Sequence, residues 1–276
     1  MTSSLKCVRS LTKCLQVEWT DGLQAKFPYA WLRDSADRTA LTHIETAPKP
    51  ETVDFSNDRL RLQWPRFVSA QFSSEFLRRQ STVKPPVADP EPLVESPISA
   101  AWSVQPVTSK LPFAIGSTEW GARHVEVGSA MPHFSRIPAI CTIESTTRSR
   151  QSTNVYVADS IAALQEMRSA NPVEFGFLTT CSLRYGEGLF AANHRVVTLT
   201  NGEITSVVFN NASRSVDLPS DNADLFYSSL QLLGRFLWRN AMQIALRPSE
   251  RLVVDNHRTM IGAPAQSGRQ LTVKLF

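Results

Sequence analysis

The chain has 276 residues, 42% of them hydrophobic and 20% charged, which is enough to bury a core and too mixed for a disordered or collagen-like chain. Four cysteines (Cys7, Cys14, Cys141, Cys181) with no Cys-x-x-Cys pair exclude a disulfide scaffold and a zinc ribbon, and no apolar run approaches the roughly 18 residues of a spanning helix. The net charge is +4, carried by 22 Arg and 7 Lys; this is a modest excess for a nucleic-acid binder, and its Arg skew fits either base composition or a surface held against a partner.

The first fourteen residues are rich in Ser, Thr and basic groups and hold no acid. They resemble a short mitochondrial targeting segment that runs directly into a strand. Leu15–Trp19 and Leu23–Phe27 alternate apolar and polar around Asp21-Gly22, the pattern of a β-hairpin, and Tyr29–Asp34 follows. A second such unit runs through Leu60–Trp64, Ser69–Phe72 and Ser74–Arg79. Residues 1–80 therefore read as a small β-rich domain, with Trp19, Trp31 and Trp64 stacked in its core. Between residues 81 and 112 lie seven of the 17 prolines, so this stretch reads as an extended linker or arm.

Residues 113–276 read as a larger domain. Strands are expected at 139–143, 154–158, 243–246, 252–255 and 270–276. Asp159 caps a helix that ends before Asn171-Pro172. The clearest hairpin joins 196–200 to 204–209 through Asn201-Gly202. Leu225–Arg239 is amphipathic, with Phe226, Leu230, Leu233 and Leu237 at helical spacing; Leu230 and Leu233 are expected to pack onto the larger sheet. Many strands with two helices predict a mainly β architecture with helices packed outside it.

There is no phosphate-binding glycine loop, no Gly-x-Ser-x-Gly elbow and no His-Glu-x-x-His. The five histidines are His43, His124, His133, His194 and His257. In a strand, His124 and Glu126 share a face, which is how a two-His, one-carboxylate iron triad begins. By spacing alone an ordinary solvated pair is the simpler explanation, because His-x-Glu occurs often by chance.

Several segments, in chain order, resemble the gamma-butyrobetaine/trimethyllysine dioxygenase family of Fe(II), 2-oxoglutarate-dependent oxygenases. They are Val17–Gly22 with Phe27–Asp34, Leu62–Pro65 with Phe72 and Phe76-Leu77, Val207–Arg214 with its Asn-Asn-x-x-Arg ending, Leu225–Leu230, Arg251–Arg258 with Gly262, and Arg269–Leu271. The resemblance implies a double-stranded β-helix (jelly-roll) domain behind the small β-rich domain, and hydroxylation of a trimethylammonium substrate.

Matched residue by residue, the resemblance puts the first iron ligand on His124 and the carboxylate on Glu126, where the family has Asp. The extra methylene displaces the oxygens by roughly 1 Å, against a tolerance of about ±0.2 Å. The distal histidine falls on Ile261, which has no lone pair to give. His257 lies four residues earlier, roughly 13 Å away if extended. The 2-oxoglutarate-anchoring arginine corresponds to Arg269, a vestigial cofactor-binding position. Where the family holds a structural zinc, this chain has Ser35–Ala40 without cysteine and only His43 nearby, so no zinc is expected.

With no metal, no other cofactor and no catalytic residue expected, the leading expectation is a pseudoenzyme. It would serve as an accessory subunit of a large, peripheral, matrix-side mitochondrial assembly, a respiratory-chain complex before a mitochondrial ribosome. Its partners would be protein subunits, with no membrane span, nucleic acid or small-molecule substrate. The alternatives are a divergent hydroxylase using His124 and Glu126, and a sensor holding a 2-oxoglutarate-type carboxylate through Arg269 and Arg214.

Overall fold

The computed structural model describes residues 4–36, 49–65, 68–89, 99–108, 114–145, 152–217 and 222–276. The chain divides into two compact units, Met1–Pro86 with Val216–Gln231, and Val87–Ser215 with Leu232–Phe276.

The first unit opens with β1 (Leu5–Ser10), β2 (Cys14–Trp19) and β3 (Gln24–Pro28), an antiparallel sheet in that order. The expected hairpin is the β2–β3 pair, and Gly22 at φ 88 supplies the positive φ of its turn. The basic N-terminal segment is itself sheet from Leu5 to Ser10: Val8 lies opposite Val17. Helix α1 (Tyr29–Ala36) follows, then β4 (Thr52–Phe55), β5 (Arg59–Trp64), β6 (Val68–Ser73) and helix α2 (Ser74–Gln80). Ser74–Arg79 is thus helix rather than hairpin. The Ser73 hydroxyl accepts from Phe76 N–H at 3.1 Å, a capping signal that outweighs the alternation.

Trp19, Trp31 and Trp64 are buried. Phenylalanines link the first two: Phe27 lies edge-on to Trp19 and stacks on Trp31, which also stacks on Phe76 and Phe72. Two of these indoles and a buried phenol find polar partners. Trp19 donates to Ser74 Oγ at 2.9 Å, Trp31 to the Val216 carbonyl at 3.3 Å, and Tyr227 to the buried Asp34 carboxylate at 3.0 Å.

The second unit begins with β7 (Trp102–Pro106), β8 (Gly116–Trp120), β9 (Val125–Gly128), β10 (Ile140–Ser145) and β11 (Thr153–Asp159). Strand β7 lies inside the expected linker, so part of that stretch is sheet. Asp89, also inside it, is tied to Asn193 by a backbone bond of 2.9 Å. Helix α3 (Ser160–Ala170) is capped by Asp159, which accepts from Ala162 N–H at 3.1 Å. A helix absent from the sequence reading, α4 (Pro172–Thr180), starts on the proline that ends α3; proline suits a first helical position.

Then come β12 (Ser182–Glu187), β13 (Phe190–Arg195), β14 (Val197–Thr200) and β15 (Glu203–Val207). Asn201 and Gly202 take φ 54 and 84, the paired positive φ that makes Asn-Gly a tight hairpin turn. Helix α5 (Ala223–Arg239) is capped by Asn222 Oδ1 on Leu225 N–H at 3.1 Å. It begins in the first unit and ends in the second. The chain closes with β16 (Ala241–Leu246), β17 (Glu250–Asp255), β18 (Thr259–Ala263) and β19 (Leu271–Leu275). Five helices, not two, accompany the strands among the described residues.

Two antiparallel sheets organise this unit, β7-β17-β10-β19-β8 and β16-β11-β18-β9. Alternate residues of five strands face one apolar core: Cys141 and Ile143, Val155 and Val157, Leu252 and Val254, Ile261 and Ala263, and Leu271, Val273 and Leu275. That period-two burial gives a mainly β, jelly-roll-like fold. Among the described residues no helix is long and apolar enough to cross a membrane.

Candidate functional site

The residues singled out in the sequence gather around β9, β18 and the segment that follows β15. Strand β9 pairs with β18, placing Gly128 opposite Ile261 and Val125 opposite Ala263, with an irregularity between. Gly262 is the close-approach residue of this pair. A Cβ on it would sit 2.8 Å from the Val125 carbonyl oxygen and 3.0 Å from the Val127 nitrogen, closer than real contacts allow.

His124 stands one residue ahead of β9 and is exposed. Its ring stacks on Trp238 at 6.0 Å between centroids, and Trp238 meets Tyr156 edge-on. Glu126 is half-buried, and its carboxylate accepts from Asn211 Nδ2 at 3.1 Å. The same amide, through Oδ1, accepts from the Nε of Arg214 at 3.0 Å. Arg214 is 1% exposed. Carboxylate, amide and buried guanidinium therefore form one relay, Glu126–Asn211–Arg214. The Asn-Asn-x-x-Arg pattern marked this segment in the sequence. Its bond to a carboxylate 85 residues earlier left no local signal.

Ile261 is 1% exposed and belongs to the apolar core, opposite Val157 as well as Gly128. His257 instead bonds Ser206 Oγ through Nδ1 at 3.3 Å. Its neighbour Asn256 is buried and holds the backbone of Ala130 and Pro138. Asp159 and Arg258 form an ion pair at 2.6 Å, and the carboxylate hydrogen bond raises the Arg258 pKa.

Arg269 is 2% exposed. Its guanidinium donates to the carbonyl of Gly121 at 2.9 and 2.6 Å, and to those of Arg123 and Pro264. Burial lowers its pKa. Four backbone bonds make Arg269 a clamp on the loops at either side, so as an anion anchor it would first have to release them. Arg251, a buried arginine of β17, pairs with Glu144 at 2.8 Å.

The iron implied by the resemblance does not fit these side chains. Two donor residues remain, one against an indole and one held by an amide, and the third position is a butyl group in the core. Among the described residues no three His, Cys, Asp or Glu side chains converge on a common point. The zinc position, Ser35–Ala40 with His43, lies largely outside the described residues.

No family model matches the chain. Among solved structures it is similar to the non-heme iron oxygenase OrfP in complex with Fe and alpha-ketoglutaric acid (TM-score 0.43, 11% identity, covering 56% of this chain and 50% of that one). It is also similar to a taurine dioxygenase from Burkholderia xenovorans (TM-score 0.44, 12% identity, 64% of each chain) and to an asparagine oxygenase in complex with Fe(II), 2S,3S-3-hydroxyasparagine and succinate (TM-score 0.42, 16% identity, 56% and 50%). The match spans about half the length of OrfP and of the asparagine oxygenase.

These structures are oxygenases of several kinds, and none of the three is of the gamma-butyrobetaine/trimethyllysine branch. The expectation of an accessory subunit in a respiratory-chain or ribosomal assembly is corrected here. The similar structures are oxygenases, and no observation on this chain supports a subunit role in a mitochondrial complex.

Proposed function

We propose that this chain is an oxygenase-fold protein that binds a small carboxylate of the 2-oxoglutarate type without carrying out iron-dependent hydroxylation. The observation that carries this reading is Ile261. Its position matches the family's distal ligand, yet its side chain is packed in the apolar core of β10, β11, β17, β18 and β19. A carboxylate ligand needs a preset donor array, and the Glu126–Asn211–Arg214 relay supports that half of the reading. Asn211 can turn its amide from Glu126 to a ligand carboxylate while Arg214 supplies positive potential in a poorly solvated setting, where charge interactions are strong. Arg269 contributes the rigid loops rather than a ligand contact.

Isothermal titration of the metal-free protein with 2-oxoglutarate tests the reading. Saturable binding that falls at least tenfold in Asn211→Ala supports it. No heat at millimolar ligand, or binding indifferent to Asn211, overturns it.

A divergent hydroxylase is the second reading. It is favoured by one observation, the retention of His124 and Glu126 two residues apart at the start of β9. It requires a third ligand from elsewhere, together with release of Glu126 by Asn211.

A further inference from the structure

A cavity lies in the second unit, built from residues outside the Glu126–Asn211–Arg214 relay. It is partly open to solvent, spans about 430 Å³ and is lined mainly by Ile115, Phe134, Ile137, Pro138, Ala139 and Phe276, with Arg136 the one charged side chain on its wall. That volume is within the roughly 300–1,000 Å³ of small-molecule sites. The walls are fixed by main-chain bonds: Ile115 N–H donates to the Leu275 carbonyl at 2.8 Å, and Phe276 exchanges bonds with Ile140. Phe134 is held in turn by an aromatic cluster, with His133 at 4.8 Å and Phe190 at 5.6 Å between ring centroids. The apolar lining continues outward, since Ile115 is 64% and Phe190 59% exposed.

Arg136 is exposed and takes no ion pair or hydrogen bond with any described residue. A lone cation beside an apolar chamber sets the chemistry of the occupant. The body must be apolar, to replace water against Phe134, Ile137 and Pro138. One end must carry a single negative charge of planar shape, which a guanidinium grips through two parallel N–H bonds. An alcohol offers the guanidinium a single neutral acceptor in place of two charged oxygens, and a cation would be repelled.

We infer that this cavity binds a medium-chain monocarboxylate, its hydrocarbon body inside and its carboxylate on Arg136. The site shares no residue with the Glu126–Asn211–Arg214 relay and stands or falls separately from it.

Titration of the full chain with octanoate, octanol and octylammonium tests the inference. Octanoate should bind one per chain. Arg136→Gln should weaken it at least tenfold, and Arg136→Lys should recover most of the loss. Octanol should bind more weakly than octanoate in the wild type and be indifferent to Arg136→Gln. Ala139→Phe, which fills the chamber from its wall, should abolish octanoate binding while leaving 2-oxoglutarate binding unchanged. The inference is overturned by octanoate binding that ignores Arg136→Gln, by octylammonium binding as well as octanoate, or by no saturable binding at millimolar octanoate.

Discussion

Ile261 of β18 faces Gly128 of β9 across the antiparallel ladder, and its side chain is almost wholly buried among Val157 and the other core aliphatics. The glycine leaves no side chain opposite Ile261 on that ladder. A Cβ on Gly128 would come within 3.0 Å of the Phe209 carbonyl, so the backbone after β15 closes over this point. The position that the resemblance gives to a third metal ligand is thus sealed by aliphatic packing on one side and main chain on the other.

Ile261→His should therefore destabilise the fold rather than restore an iron site. It removes aliphatic contacts and leaves an imidazole without partners in an apolar core, at a cost of about 1–3 kcal/mol. Urea denaturation measures the loss. A stable variant that gains stoichiometric iron would mean that the core at this point opens to solvent.

Gly262→Ala should loosen β9. Its new methyl would meet the Val125 carbonyl at 2.8 Å, and backbone cannot move aside as a flexible side chain can. Overpacking of this kind costs about 1–3 kcal/mol. Hydrogen exchange at Val125–Gly128 should quicken in the variant, whereas unchanged protection there would disprove the close approach.

Leu233→Ala should cost about 2–5 kcal/mol, the range for a buried leucine truncation, because Leu233 is fully buried on α5. The apolar spacing of this helix made its buried face readable from the sequence. A near-neutral variant would mean that the face is assigned wrongly.

Alkaline pH should weaken the fold through its buried thiols. Burial pushes the Cys181 thiol from 9.0 up to about 12, with Arg214 pulling weakly the other way; burial also raises Cys141. The native state then keeps a proton that the unfolded chain gives up. The stabilisation is complete below pH 9.0 and is lost as pH rises toward the folded value, by up to on the order of 2 kcal/mol at about pH 10.5 for each thiol. Denaturation at neutral and alkaline pH should give a shallower decline in Cys181→Ala than in the wild type. Parallel declines would exclude this thiol as a source.

What the sequence made legible follows from the range of each signal. Hairpins with Asp-Gly or Asn-Gly turns, the Asp159 cap and the face of α5 are local patterns, and they stand where expected. Strand β7 was obscured by the prolines on either side of it, and its own Pro106 sits at its end, where a missing N–H costs little. Helix α4 was hidden because Asn171-Pro172 ends one helix and starts another. Within the site, Ile261 could be placed by matching a motif. The bond from Asn211 to Glu126 and those from Arg269 to the Gly121 and Arg123 carbonyls join distant segments, and no spacing encodes them.

The most direct test of the account is anaerobic equilibrium dialysis of the full chain against Fe(II) with 2-oxoglutarate, followed by exposure to oxygen and assay of succinate. The account predicts no iron retained at micromolar concentrations and no succinate above the protein-free control. One iron per chain, with succinate formed in proportion, would contradict it and establish the hydroxylase reading in its place.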